Sequence, residues 1–231
     1  ALDEVLDQIM KEEAFYIRLK EGFNDIFLTE GYEGNGELIL SYNHFEKSRL
    51  WYQKYNLDHI VDEKERKETL YSITRNYRKA IREEPLELVA YVVRNNKPFT
   101  EILTADYIMV SPYSARGYGI FEQIKNRFKD PEDPFEYVPA RLPALRARNN
   151  NPVNAPLEQE SKTGFYPHAG LLSTFQYLRR YPTTDTNRNR LRARMYYQHF
   201  LGVDVMELAD QVTDAAAIDA KSVSYTHLTL P

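Results

Sequence analysis

The chain of 231 residues has no cysteine, which excludes disulfides, thiolate nucleophiles and cysteine-based metal sites from it. No window of about 20 apolar residues occurs, so no segment reads as a membrane-spanning helix. The Gly-x-Ser-x-Gly elbow, the His-Glu-x-x-His zinc helix and the dinucleotide fingerprint are all missing, which removes the enzyme classes that depend on them. GYEGNG, beginning at Gly31, lacks the lysine and the βαβ frame that would make it a phosphate loop. His44 and His59 stand fifteen residues apart, without metal-ligand spacing, and no metal site is expected. Lysine plus arginine number 30 against 34 acidic residues, a net charge of −4 that argues against nucleic acid as the main partner. No repeat of about 20 to 50 residues is visible.

Hydrophobic residues at 42% and charged residues at 28% describe a globular chain able to bury a sizeable core. Residues 1–128 read as a helical region. An apolar stripe through Leu2, Val5, Leu6 and Ile9, widening to Phe23 and Phe27, predicts a helix from Leu2 to about Thr29. A second helix is expected over Tyr42–Tyr55, presenting Phe45, Trp51 and Tyr52. Asp62 and Glu65 have capping-box spacing ahead of Leu70, Ile73, Tyr77 and Ile81, which predicts a long amphipathic helix. Pro85 suits an early position of a separate helix, Leu86 to Arg94. Thr100 is placed to cap a short helix, and Tyr107–Val110 is β-prone before Ser111–Pro112 interrupts it.

Residues 129–163 are rich in proline and asparagine and read as a long irregular connection, with a possible hairpin pairing Tyr137–Leu145 against the residues before Phe165. Residues 164–221 form a C-terminal helical region. Leu171, Leu172, Phe175 and Leu178 recur at helical period, and Pro182 stops that helix near Arg180. Thr184, Asp185 and Thr186 can cap a following helix that ends at Gly202, and Asp204 with Glu207 starts a third. On the second of these, Ala193, Tyr196, Tyr197 and Phe200 share an arc between two polar rails. Arg188, Arg192 and His199 form one rail, Arg190 and Arg194 the other.

Arginine forks suit carboxylates and phosphates, so these rails are candidates for facing an anion or cofactor. Ordinary surface pairing with some of the 34 acidic residues is the simpler and favoured reading of them. Arg141, Arg146 and Arg148 add positive charge if the connection folds back, and with His168 they suggest a shared anionic pocket. Glu101, Asp106, Tyr113 and Arg116 are further polar residues of interest, the two carboxylates as an acid and base pair. No catalytic residue is identified.

TADYIMVSPYSARGYGIF and PHAGLLSTFQYLRRYPTTDTNRNRLRARMYYQHFLGVDVMELA resemble domains of unknown function in large exported proteins of planctomycete-type bacteria, which also carry c-type cytochrome segments. The matching positions are Tyr118–Gly119–Ile120, Gly170, Leu171, Leu172, Pro182, Thr183, Arg190 and Leu201–Gly202, and the resemblance runs from Glu84 to Ala220. It implies export or a periplasmic location, a neighbouring cytochrome-like domain in the same full-length chain, and haem c on a Cys-x-x-Cys-His motif beyond this segment. No cofactor is expected within the segment itself. The start at Ala1 suggests a truncated N-terminus. Ser222 to Pro231 resemble a translated sequencing adapter at the end of a metagenomic fragment and read as a non-native tail of residues 222–231.

The expected fold is mainly α, with bundle-like or orthogonal helix packing and a long irregular or β-hairpin insertion. The expected function is an accessory module of a cytochrome-associated exported protein, supporting electron transfer. Part of an enzyme or binding module acting on anionic polysaccharide is the alternative, and a purely assembling module is a third reading.

Overall fold

A computed structural model describes residues 2–30, 40, 43–145, 161–182 and 189–207. The fold is mainly α, with a two-stranded sheet as the only sheet among the described residues. The chain divides into two compact units, Ala1–Tyr181 and Pro182–Pro231.

The first unit is built on one helix. After α1 (Leu2–Ile9) and α2 (Glu13–Phe27), α3 runs from Glu63 to Arg94, 32 residues or roughly 48 Å of rod. It begins as the capping spacing predicts, with the Asp62 carboxylate accepting the Glu65 N–H at 2.7 Å. Its first turns bury little. From Ile73 onward Tyr77, Ala80, Ile81, Glu84, Leu88 and Val92 line one side, and Pro85, Leu86, Val89 and Ala90 widen the buried arc until little of the helix meets water. Such a helix needs neighbours on most sides, and α2, β1 (Ile108–Val110), α4 (Glu101–Thr104), α5 (Pro112–Tyr118) and α7 (Phe175–Arg180) all pack on it.

Pro85 does not start a new helix. It lies inside α3, where its ring nitrogen cannot donate to the Ile81 carbonyl, a disruption that ordinarily costs about 3 kcal/mol. Packing overrides the local preference. Ile81, Leu86, Leu88 and Val89 are almost wholly buried, each contributing about 1.5–3 kcal/mol. The Tyr137 hydroxyl donates to the neighbouring Ala80 carbonyl at 2.8 Å, holding the weakened turn from outside.

Two other expected helices differ. The stretch Leu2 to Thr29 is broken at Met10–Glu12, where Glu12 is extended. As a result α2 turns Tyr16 and Phe27 into the core, while α1 buries nothing and leaves Leu2, Val5, Leu6 and Ile9 exposed. Residues 43–55 form two short 3-10 turns, Asn43–Phe45 and Trp51–Lys54, in place of a helix. Their aromatic rings dock in different places, as a single helical face could not allow. Phe45 sits between Tyr118 and Phe175, whereas Tyr52 and Trp51 lie against Tyr77.

The β-prone stretch becomes β1 (Ile108–Val110), all three residues buried, antiparallel to β2 (Val138–Ala140) with Met109 opposite Pro139. The Ser111–Pro112 interruption is at once the start of α5: Ser111 and Ser114 exchange side-chain to backbone hydrogen bonds in a capping box, with Pro112 at the first position. α6 (Phe121–Ile124) follows. Further on, Ala144 donates to the Gly164 carbonyl and Tyr166 to that of Leu142, pairing the connection with the segment around Phe165.

α7 begins at Phe175, later than the Leu171 stripe suggests, and ends at Arg180. Leu171 is instead held in a turn: its N–H donates to Ile102 and that of Gly170 to Ala105. Three α7-region side chains then serve the C-terminal end of α2. Tyr181 donates to the Phe27 carbonyl at 2.8 Å, Arg180 to Leu28 at 3.1 Å and Gln176 to Thr29. Helix ends leave such carbonyls unpaired, so this contact closes one helix with another.

In the second unit α8 spans Arg190–Leu201 and ends at Gly202 in the left-handed region, φ 66°, as expected. Among the described residues none of α8 is buried. The expected caps at Thr184 to Thr186 and the third helix from Leu208 onward lie outside the described residues, as does the tail of residues 222–231.

Gly170 is the tightest backbone position. Its φ is +51° and a Cβ there would run into the Ile102 carbonyl and Leu103 backbone. Gly170→Ala combines a strained backbone with a collision between two main chains and should cost at least about 2 kcal/mol of stability. Urea unfolding measures it; a loss below about 0.5 kcal/mol would show that the 169–174 turn is not fixed in this way.

Candidate functional site

A groove of about 940 Å³ opens along the side of α3 that the core leaves free. Its near wall is α3 with α2, carrying Lys79, Glu83, Glu87 and Tyr91 from the first and Lys20 from the second. The far wall is the 127–139 segment leading into β2, with Arg127, Lys129, Phe135 and Tyr137. Glu83 and Glu87 are four apart on a helix and therefore share its face.

The near wall is largely self-neutralised. Lys20 Nζ lies 2.6 Å from Glu87 Oε1, Lys79 Nζ lies 3.5 Å from Glu83 Oε1, and Arg94 pairs with Glu13 at 2.7 Å at one end. Burial pushes the Glu83 carboxyl above its usual range; Lys79 opposes this and the Glu87 carboxylate adds to it. The far wall differs. Glu136 is consumed by the backbone N–H groups of Lys129 and Asp130 at 2.8–2.9 Å. Arg127 gives one nitrogen to the Pro139 carbonyl at 2.5 Å, and neither Arg127 nor Lys129 has a carboxylate partner among the described residues. Phe135 offers a partly exposed ring beside them, with Lys79 over its face at 4.9 Å. The groove thus joins aromatic surface, hydrogen-bonding groups and two cations without a carboxylate partner among the described residues.

Behind the groove wall lies a buried polar pair. Glu84, next in sequence to Glu83, points into the core and is wholly buried. Its Oε2 accepts the Tyr118 hydroxyl at 2.6 Å, and its Oε1 has no hydrogen-bond partner among the described residues. Burial pushes its carboxyl up to about 8, against the pull of the Tyr118 and Ser114 hydroxyls. Glu84 was legible in principle: it falls seven after Tyr77, three after Ile81 and four before Leu88, inside the apolar arc. Glu83 and Glu87 gave no such signal, because their importance comes from a wall supplied by distant residues.

The residues singled out by sequence are distributed differently. His168 and Arg141 do come together. Arg141 lies over the Phe165 ring at 4.2 Å and 3.4 Å from Asp106, close enough to His168 to act on its charge. His168 Nε2 accepts the Leu142 N–H at 3.0 Å, which places the ring proton on Nδ1, where no partner exists among the described residues. Burial, with the Arg141 charge, lowers its pKa to about 4. His168 is therefore a neutral brace for the 142–166 pairing at pH 7. Arg146 and Arg188 lie outside the described residues. On α8, Arg194 grips Asp204 with both arms of its fork, and Met206 N–H donates to the same carboxylate. Arg192 reaches the Asn189 side chain at 3.5 Å, Arg190 is exposed, and His199 stands edge-on to Phe200.

Glu101 and Asp106 do not form an acid and base pair. Glu101 is held by Lys97 and Tyr107, whose hydrogen bonds lower its pKa, while Asp106 takes Arg141. Arg116 is enclosed: its guanidinium lies 4.0 Å from the Phe121 ring centre and near those of Trp51 and Tyr113, and pairs with Glu132 at 2.7 Å. Tyr55 donates to the other oxygen of Glu132, which with burial pushes its hydroxyl up to about 12. This cluster fastens α5 to the 130–134 turn. No group of three or more potential metal ligands occurs among the described residues.

Residues 43–120 match a family described as PSD4, a protein of unknown function, DUF1592. The match spans the aromatic 3-10 turns, α3, α4, β1 and α5, and so contains Glu83, Glu84, Glu87 and Tyr118 but not the far wall of the groove or α8. No curated protein and no solved structure matches the chain.

Because the folded pKa of His168 is depressed below the unfolded value of about 6.5, its neutral form contributes stability above pH 6.5 that is lost as pH falls toward about 4. Nitrogen-15 NMR of the imidazole should show an Nδ1–H tautomer and no titration between about pH 5.5 and 8. A midpoint near 6.5 would mean that the ring is solvated and does not brace Leu142.

Proposed function

We propose that this chain is a binding module of a larger exported protein and that the α3 groove holds a stretch of anionic polysaccharide. The observation that carries this reading is the pairing of Arg127 and Lys129, which no carboxylate neutralises among the described residues, with the Phe135 ring along one wall. A uronate or sulfate ester would meet the two cations, a sugar face would lie on Phe135, and hydroxyls would bond the near-wall carboxylates. The ion pairs of that near wall are already satisfied, which favours holding a chain over reacting with it.

An accessory role beside a cytochrome-like domain, in the periplasm or outside the cell, belongs to the same proposal and is supported by the resemblance alone. The chain has no cysteine, so the thioether bonds of haem c cannot form on it; such a haem would be held by another part of a longer protein. An uninterrupted gene expressed with haem c maturation should then yield a reversible haem spectrum. A complete folded product lacking haem would remove the cytochrome association.

Titration calorimetry against polygalacturonate, a sulfated galactan and neutral dextran tests the groove. The acidic polymers should bind at low salt and dextran should not, while the R127E/K129E pair should weaken binding at least about tenfold and F135A by several-fold. Equal binding of dextran, or binding indifferent to the charge reversals, would refute the assignment.

A further inference from the structure

Glu83 and Glu84 are consecutive on α3 but face different ways, one into the groove and the other into the core. The turn that carries them lacks one backbone hydrogen bond of the helix. Pro85 leaves the Ile81 carbonyl without its helical donor, and the next carbonyl back, that of Ala80, is held by the Tyr137 hydroxyl. The same hydroxyl lies 3.3 Å from Glu83 Oε2 on the groove wall. One oxygen atom thus links the weakened turn to the site.

On the core side Glu84 Oε2 accepts a short hydrogen bond from Tyr118, the Ser114 hydroxyl also favours the carboxylate, and Oε1 has no hydrogen-bond partner within the distance of an ordinary bond among the described residues. Against its burial stand the hydroxyls of Ser114 and Tyr118 of α5. Around them stand Tyr77 of α3 and Tyr166, which act on Tyr118, and Tyr137, on which Glu83, Glu84 and Glu87 all act. Lys79 and Lys20 are paired to Glu83 and Glu87 on the groove side. Among the described residues no cation acts on Glu84, so its ionised form would be an uncompensated charge in the core.

We infer that the proton on Glu84 regulates the groove: the neutral acid keeps the Ala80–Pro85 turn closed and Tyr137 seated, and loss of the proton loosens both and weakens ligand binding. This rests on the groove being the binding site. The direction follows from linkage. The folded carboxyl titrates at about 8 against about 4.5 unfolded, so the stabilisation from the bound proton is whole below pH 4.5 and is lost as pH rises toward 8. The groove is therefore competent at neutral or mildly acidic pH and opens in alkali.

Hydrogen exchange with mass spectrometry, corrected for intrinsic rates, reads the turn without any ligand. Amides of residues 80–88 in the wild type should lose at least about tenfold protection between pH 6.5 and 9, and Glu84→Gln should abolish that loss. Should Glu84→Gln not fold, Tyr118→Phe supplies the second test: losing the hydroxyl that favours the carboxylate should move the midpoint upward. Protection that ignores pH, a transition that persists in Glu84→Gln, or a midpoint that falls in Tyr118→Phe would each overturn the inference. Polygalacturonate titrated over the same pH range separates the two ideas. Affinity that falls with the wild-type transition and not in Glu84→Gln supports regulation. Constant affinity across the transition overturns it. No polymer binding at any pH, with the transition present and removed by Glu84→Gln, overturns the groove's role and leaves the proton-controlled turn standing.

Discussion

The first unit depends on burying a helix that cannot satisfy itself. Between Ala80 and Leu86, α3 carries both a proline that removes a backbone donor and a carboxyl with no counter-ion, and both lie in the core. The proline would cost an isolated helix about 3 kcal/mol, and the carboxyl, harmless in water, becomes costly to ionise once it is buried. The surrounding elements are arranged to meet those needs: Tyr137 reaches in from the approach to β2, Tyr118 from α5, and β1 covers the helix with three buried apolar residues. Apolar burial outweighs the local cost, and it fixes where the remaining elements can lie.

The same logic recurs at smaller scale. Side chains around α7 close the C-terminal carbonyls of α2, Arg116 is sealed among three aromatic rings and tied to Glu132, and His168 spends its free nitrogen lone pair on the Leu142 N–H. Polar groups that would look functional in isolation are thereby used to join segments far apart in sequence. A buried donor left unpaired costs about 1–3 kcal/mol, so such joints specify one arrangement of the chain. Arg127 and Lys129 on the groove wall are not tied to a carboxylate in this way among the described residues.

Glu83 and Glu84 show how function can hang on one turn. A rotation of 100° along the helix puts one carboxyl in the groove and the other in the core, while Tyr137 touches the backbone behind both. Strain held by packing is also strain that a change of charge can release.

Sequence by itself determined the mainly α class, the Asp62 start of the long helix, the β-prone stretch before Ser111 and the stop of α8 at Gly202. Each of these is decided by residues within a few positions of one another, through side-chain caps, backbone freedom and hydrophobic period. Local rules failed at Pro85, at the break after Ile9 and in the aromatic 43–55 stretch, where the winning contacts come from far along the chain. The groove was not legible at all. Its near wall is set by helical phase, but Arg127, Lys129 and Phe135 become its far wall only because β2 pairs with β1 beside α3. That placement depends on tertiary pairing, which no spacing along the chain encodes.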